Sequence, residues 1–195
     1  EFFEFVHVVG ESTPAMWAAV SEAQAELEEL KHKPLLFIVE AGNIGKDENV
    51  SDYALRLEAE KKKLKNKNIA VVAARSLYTK MDGTTVEINN AGIVAGLYGI
   101  AGVAQSIGRV DTFSISEAKM TRLMPEGIED YISGLDDAGY LTWRKYYGIA
   151  GCYVNNARVL CREGSDYRYA EHVRVLNKMI REIYKRAVNM VQMDI

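Results

Sequence analysis

Cysteine, histidine and proline are scarce in this chain, with two, three and three among 195 residues. Two cysteines cannot make a disulfide scaffold, and a chain of this length buries a substantial core without one. Cys152 and Cys161 flank a predicted hairpin. A turn at Asn155-Asn156 would set Cys152 nearer Val159 than Cys161, so the register forces no bridge and two buried thiols are expected. His7, His32 and His172 stand far apart, with no second His or Cys at ligand spacing, so no metal site is expected. His32 reads as a cation near a helix C-terminus. Charge of one sign is also lacking: the net charge is −3, which gives no bulk pull toward nucleic acid or anionic membrane. No basic segment leads into an apolar run, so no signal peptide is visible. The uncharged stretch from Ala91 to Gly108 is slightly short for a membrane span and ends in Gln105 and Ser106. Its small residues Gly92, Gly96, Gly99 and Gly102 predict instead a helix buried in a protein core, capped by Asn90.

Catalytic patterns are missing as well. There is no Gly-x-Ser-x-Gly elbow, and Ser12, Ser51 and Ser165 read as helix caps. Asp136 and Asp137 are adjacent, so on a helix they point about 100° apart and make a poor acid and base pair; they read as solvated helix-end charges. The loop Gly42-Asn43-Ile44-Gly45-Lys46-Asp47 follows an apolar run, where a phosphate loop would sit. Its glycine spacing is wrong for one, and no Ser or Thr follows the lysine. A doubly wound enzyme or nucleotide-binding domain with its site near Gly42 to Asp47 is the alternative functional reading.

What is present is a clean alternation of elements. Phe3 to Val9 has a strand pattern; Thr13-Pro14 caps and opens a helix reaching about His32. Pro34 ends it, and Leu35 to Val39 is a continuous apolar run suited to a strand buried on both faces. A helix from Val50 or Ser51 to Asn66 and a second buried strand, Ile69 to Ala74, follow. The order implies an α/β fold, a layered domain with a largely parallel or mixed sheet flanked by helices. Near the C-terminus, Leu141 to Tyr147 and Cys152 to Leu160 are rich in β-favouring residues, with Asn155-Asn156 as a turn candidate. Gly164-Ser165-Asp166 then offers a break and a cap for a long helix whose apolar residues Val173, Leu176, Ile180, Ile183, Tyr184 and Ala187 recur at helical spacing.

The region from Gly134 to Arg186 resembles the contractile tail sheath family of phages and phage-like particles, in its Mu-like and bacteriocin-like branch. The resemblance rests on the order Gly134-Leu135-Asp136-Asp137, Thr142-Trp143-Arg144, Gly148 to Tyr153, Gly164-Ser165-Asp166-Tyr167 and Arg174-Val175-Leu176-Asn177-Lys178. Val94 to Leu97 is similar to a small-residue helix of that family, which precedes an irregular stretch, here Asp111 to Ile128. The resemblance implies a structural subunit and no reaction or cofactor. Many copies would surround an inner tail tube and shorten by repacking rigid cores, in the tail of a virion or phage-like particle assembled in the bacterial cytoplasm. Its partners would be other copies and the tube protein. The chain would be one sheath-like core, residues 1–195, of a longer subunit whose terminal arms join neighbours.

Two basic clusters are candidate interfaces in such an assembly. Lys61, Lys62 and Lys63 lie at the end of the second helix, where its dipole favours cations. Arg174, Lys178, Arg181 and Lys185 recur every three or four residues on the last helix and form a stripe. The acidic first helix, with Glu22, Glu26, Glu28 and Glu29, and the Asp136-Asp137 pair are their expected counterparts on neighbouring copies.

Overall fold

A computed structural model describes residues 3–62 and 64–191. Its centre is a parallel sheet of β1 (Phe5–Glu11), β2 (Leu36–Glu40) and β3 (Ile69–Val72), in that order. In register, Val6 sits beside Phe37, and Ile38 beside Ala70. Every residue of β2 and β3 is buried, as unbroken apolar runs between two layers require. The sheet is extended beyond β3 by single residues of distant segments: the Leu141 amide donates to Val71 O at 2.9 Å, and the Leu160 amide to Ile69 O at 2.8 Å.

The crossover helices α1 (Pro14–Glu29) and α2 (Val50–Lys61) start where polar caps precede them. Thr13 Oγ1 accepts from the Met16 amide, and Asn49 Oδ1 accepts from the Asp52 amide at 2.8 Å. Ser51 is therefore inside α2 rather than its cap, and the helix ends at Lys61, short of Asn66. Ser12 is not a cap either; its hydroxyl accepts from Trp17 Nε1 at 2.6 Å and donates to Glu40 O. His32 lies past the end of α1 with a φ of 48° and stacks on Tyr184, ring centroids 4.5 Å apart.

Ala74, at a φ of 71°, turns the chain out of the parallel sheet. It leads into a separate antiparallel sheet of β4 (Arg75–Thr79), β5 (Thr85–Ile88) and β6 (Met120–Met124), with β4 in the middle. The α/β fold is thus mixed, built from a parallel and an antiparallel sheet with helices around them. Between β5 and β6, α3 (Ala91–Ile100) stops eight residues before Gly108, and the remainder runs through turns. Asn90 does not cap it: its side-chain amide donates to Ala74 O at 2.7 Å. The cap comes from across the fold, where the buried Glu40 carboxyl group accepts from the Asn90 amide at 3.2 Å and the Ala91 amide at 2.6 Å.

A short 3-10 helix, Ile128–Tyr131, leads into α4 (Ile132–Ala138), which ends at Gly139 with a φ of 95°. The hairpin of β7 (Trp143–Tyr146) and β8 (Ile149–Val154) turns at Tyr147-Gly148, not at Asn155-Asn156. Gly148 has the positive φ, 74°, that the turn requires. Asn156 follows β8 and donates to Asp136 Oδ1 at 2.9 Å. Cys152 and Cys161 are free thiols, both buried. The last helix, α5 (Ala170–Val188), has Tyr169 at its N-cap with no side-chain cap bond. The Ser165 hydroxyl instead accepts from the Tyr167 amide within the preceding turn.

Candidate functional site

The charged residues predicted as interfaces divide sharply by exposure. Arg174, on α5, is 3% exposed and Arg181 is 8% exposed. Helical spacing puts both on the same side as Val173 and Asn177, which is the side facing the body. Arg174 reaches the C-terminal end of α3, where its guanidinium donates to Tyr98 O, Ala101 O and Gly102 O at 3.2–3.4 Å. It also pairs with Glu4 Oε2 at 2.9 Å and lies over the Tyr98 ring at 4.9 Å. A guanidinium at a helix C-terminus satisfies carbonyls that have no intrahelical donor. Arg181 Nη1 donates to Pro34 O at 2.7 Å, and burial lowers its pKa. The predicted basic stripe is therefore corrected: two of its four members bind their own chain. Lys178 and Lys185 remain exposed, on either side of a small cleft of about 140 Å³ shared with Phe3, Glu4 and Glu182.

The lysine cluster divides in the same way. Lys61 is buried at 8% exposure, its stem against Gly139, where a Cβ would lie 3.1 Å from Lys61 Cε. Lys62 is exposed, and Lys63 lies outside the described residues. Lys61, Lys62 and Lys65 line a cleft of about 280 Å³ with Glu58, Asp137 and Glu163, so charges of both signs meet there. Asp136 is not a solvated charge. It is 6% exposed and pairs with Arg158 Nη2 at 2.8 Å while accepting from Asn156.

The loop from Gly42 to Asp47 lacks an anion cradle. The Gly45 amide donates to Glu48 Oε2 at 2.8 Å, and the Asn43 amide to Glu11 Oε2 at 3.1 Å. Arg56 holds Glu48 at 2.7 Å and Asn43 O at 2.8 Å, which draws the Glu48 pKa below its usual range. Amides that a phosphate would need already face carboxylates, and the Arg56 guanidinium is already engaged by Glu48 and Glu60. Among the described residues, no group of three or more His, Cys, Asp or Glu is placed to hold a metal. Among the same residues no helix is long and apolar enough to cross a membrane.

The hairpin tip is not among the interfaces predicted from the sequence. Arg144, Lys145, Tyr147, Ile149 and Ala150 are exposed there, while Trp143 and Gly151 to Val154 are buried. The Arg144 guanidinium lies over the Tyr146 ring at 4.9 Å, and Tyr146 meets Tyr153 edge to face at 5.6 Å. One signal could have found it: no acidic residue occurs from Ala138 to Arg162.

The arrangement offers surfaces for association, and its fold is that of contractile tail sheath proteins. The sheath tail protein of Desulfitobacterium hafniense superposes with a TM-score of 0.61 at 14% identity, over 94% of this chain and 39% of that one. That of Listeria innocua gives 0.63 at 14% identity, over 93% and 37%. The helical sheath of the anti-feeding prophage in its contracted state gives 0.61 at 15% identity, over 93% and 44%. The chain thus spans less than half the length of these sheath proteins. Residues 1–158 match the N-terminal domain that defines the DUF2586 family, and the chain belongs to that family. No curated protein matches it.

Proposed function

We propose that this chain is the core of a structural subunit of a contractile tail sheath. Copies would assemble into rings around an inner tube, in the tail of a phage or phage-like particle, and the sheath would shorten by repacking of rigid cores. The observation that carries the reading is the fold. A mixed α/β core with an appended hairpin and long helix follows sheath subunits over nine-tenths of the chain, one of them in a contracted helical sheath. The hydrogen-bonded interior supports it too. Arg174, Asp136 and Glu40 tie distant elements together through buried and half-buried hydrogen bonds, which suits a body that moves as a unit. On this reading residues 1–195 form one core of a longer subunit, and the tail tube protein and other copies are its partners. Of the basic residues, Lys62, Lys178 and Lys185 are those still available to neighbours, whereas Lys61, Arg174 and Arg181 hold the core.

Electron microscopy of the full-length subunit, alone and with its tube protein, tests this. Hollow tubes or stacked rings of regular diameter are expected. A monodisperse monomer under both conditions overturns it.

A further inference from the structure

Two residues on one cleft run against the stability of the helices that carry them. The first is Lys61, which ends α2 and is 8% exposed. Its stem packs on Gly139, where a Cβ would lie 3.3 Å from Lys61 Nζ. A buried ammonium ordinarily sits among carboxylates or carbonyls that accept its protons. Lys61 Nζ has no hydrogen bond and no ion pair among the described residues. The C-terminal ends of α2 and α4 come together here, and their partial negative charge offsets part of that cost. The second is Gly134, in the interior of α4. Its backbone is helical, so nothing in its dihedrals calls for glycine, and glycine weakens a helix interior. A Cβ there would come 2.8 Å from Glu58 Oε1, so the missing side chain makes room for a carboxylate. Local choices that cost stability gather where a protein does something besides fold.

Both residues line the cleft of about 280 Å³ where α2 packs on α4. Lys61 is its buried floor and Glu58 is half-buried beside it, while Lys62, Lys65, Asp137 and Glu163 stand exposed at the rim. Glu58 and Lys61, three apart on α2, share one helix face, and Gly134 and Gly139 let them lie against α4. Six charges of both signs in so small a space would ordinarily close on one another. No salt bridge joins any two of them among the described residues. At the rim, Lys62 and Lys65 balance Asp137 and Glu163 in sign, so the rim favours neither an anion nor a cation. The selective pair is the inner one, Lys61 and Glu58.

We propose that this cleft binds a small zwitterion, a molecule of amino-acid size whose carboxylate accepts from Lys61 Nζ and whose ammonium pairs with Glu58. The inference goes beyond the sheath reading and does not depend on it. One buried cation calls for a single negative charge. A phosphate dianion would set its second charge against Glu58, Asp137 and Glu163, and a plain carboxylate would leave Glu58 without a partner. The volume lies just below the roughly 300–1,000 Å³ of ordinary small-molecule pockets, which keeps the ligand small. Charge-assisted hydrogen bonds to a ligand would supply the acceptor that the fold withholds from Lys61.

The test is an NMR titration of the isotopically labelled full chain with free glycine and with β-alanine, zwitterions of two lengths. Saturable shifts at Lys61, Gly134 and Gly139 are expected with at least one of them. Acetate and methylammonium should each bind about tenfold more weakly, having lost one of the two charged contacts, and inorganic phosphate should bind no better than acetate. Lys61→Met keeps the stem and removes the charge. It should abolish saturation while the melting temperature holds or rises, because a buried charge without a partner does not stabilise the fold. Should Lys61→Met fail to fold, Glu58→Gln decides: it should weaken the zwitterion about tenfold and leave acetate unchanged. No saturation with either zwitterion, or shifts that persist in Lys61→Met, overturn the site. So do shifts that sodium chloride reproduces at equal ionic strength, the sign of an adventitious ion only, or a zwitterion affinity that Glu58→Gln leaves unmoved.

Discussion

The parallel sheet and α5 both carry strong sequence patterns, yet only in the sheet does pattern translate directly into burial. In β2 and β3 every apolar residue is inside. In α5 the outcome is nearly reversed along part of its length. Arg174 and Arg181 are buried, whereas Met179 is 54% exposed and Ile183 62%. A residue in a continuous apolar run has no polar face to offer water, so its position follows from composition alone. A helix, by contrast, offers two faces, and which one meets the body depends on what the body presents there. Here it presents the unsatisfied carbonyls at the end of α3 and at Pro34, and guanidinium groups satisfy them.

That comparison can be broken most directly at Arg174. Arg174→Ala should lower unfolding free energy by about 3 kcal/mol, since it strands Tyr98 O and Ala101 O and leaves the half-buried Glu4 unpaired. Lys178→Ala, one turn away and exposed, should change it by less than about 0.5 kcal/mol. Urea unfolding of the two variants measures the difference, and equal effects would mean that Arg174 is not an internal cap.

A second test concerns the sheet's own charged exception. Burial pushes the Glu40 carboxyl up to about 8, despite the opposing pull of the Asn90 and Ala91 amides. A folded pKa above the unfolded value of 4.5 means that the native state binds the extra proton. The associated stability is full below the unfolded value and is lost as pH rises through the folded one. Unfolding free energy should therefore fall by about 4 kcal/mol between pH 5 and pH 9. In Glu40→Gln that slope should flatten, as a pH series of denaturant midpoints would show.

The smallest effect separates an observed cap, Asn49, from a predicted one, Ser165. Asn49→Ala should cost about 1 kcal/mol through loss of the bond to the Asp52 amide. Ser165→Ala should cost less than about 0.5 kcal/mol, because Ser165 closes a turn and caps no helix. Thermal melts of both variants, compared with the parent, distinguish them.

These contrasts mark how far the sequence could be read. The first half was legible nearly element by element, because Thr13-Pro14, Pro34 and Gly42 punctuate it and apolar runs fill the intervals. The antiparallel sheet was not, since β4 and β5 are short and half-exposed and their pairing with β6 joins segments some forty residues apart. The hairpin was found but its turn was misplaced. Asn155-Asn156 has the side chains of a tight turn, whereas Gly148 has the backbone freedom, and the buried run Gly151–Val154 pins the register around Gly148. Of the seven basic interface candidates, Lys62, Lys178 and Lys185 are exposed, Lys61, Arg174 and Arg181 turn inward, and Lys63 is outside the described residues.

From the order of its residues alone, then, the chain is an α/β protein with a buried parallel sheet, free of catalytic and metal-binding patterns, carrying a hairpin and a long basic helix. Apolar runs and punctuating residues settle such matters locally, because each acts through the few residues around it. Tertiary structure alone decided which charges are internal and which remain for a neighbour. Whether Glu40 caps α3, Arg174 closes its other end or Arg144 faces outward depends on groups brought together from distant parts of the chain. The free energy of a charge is set by those surroundings rather than by its spacing in the sequence.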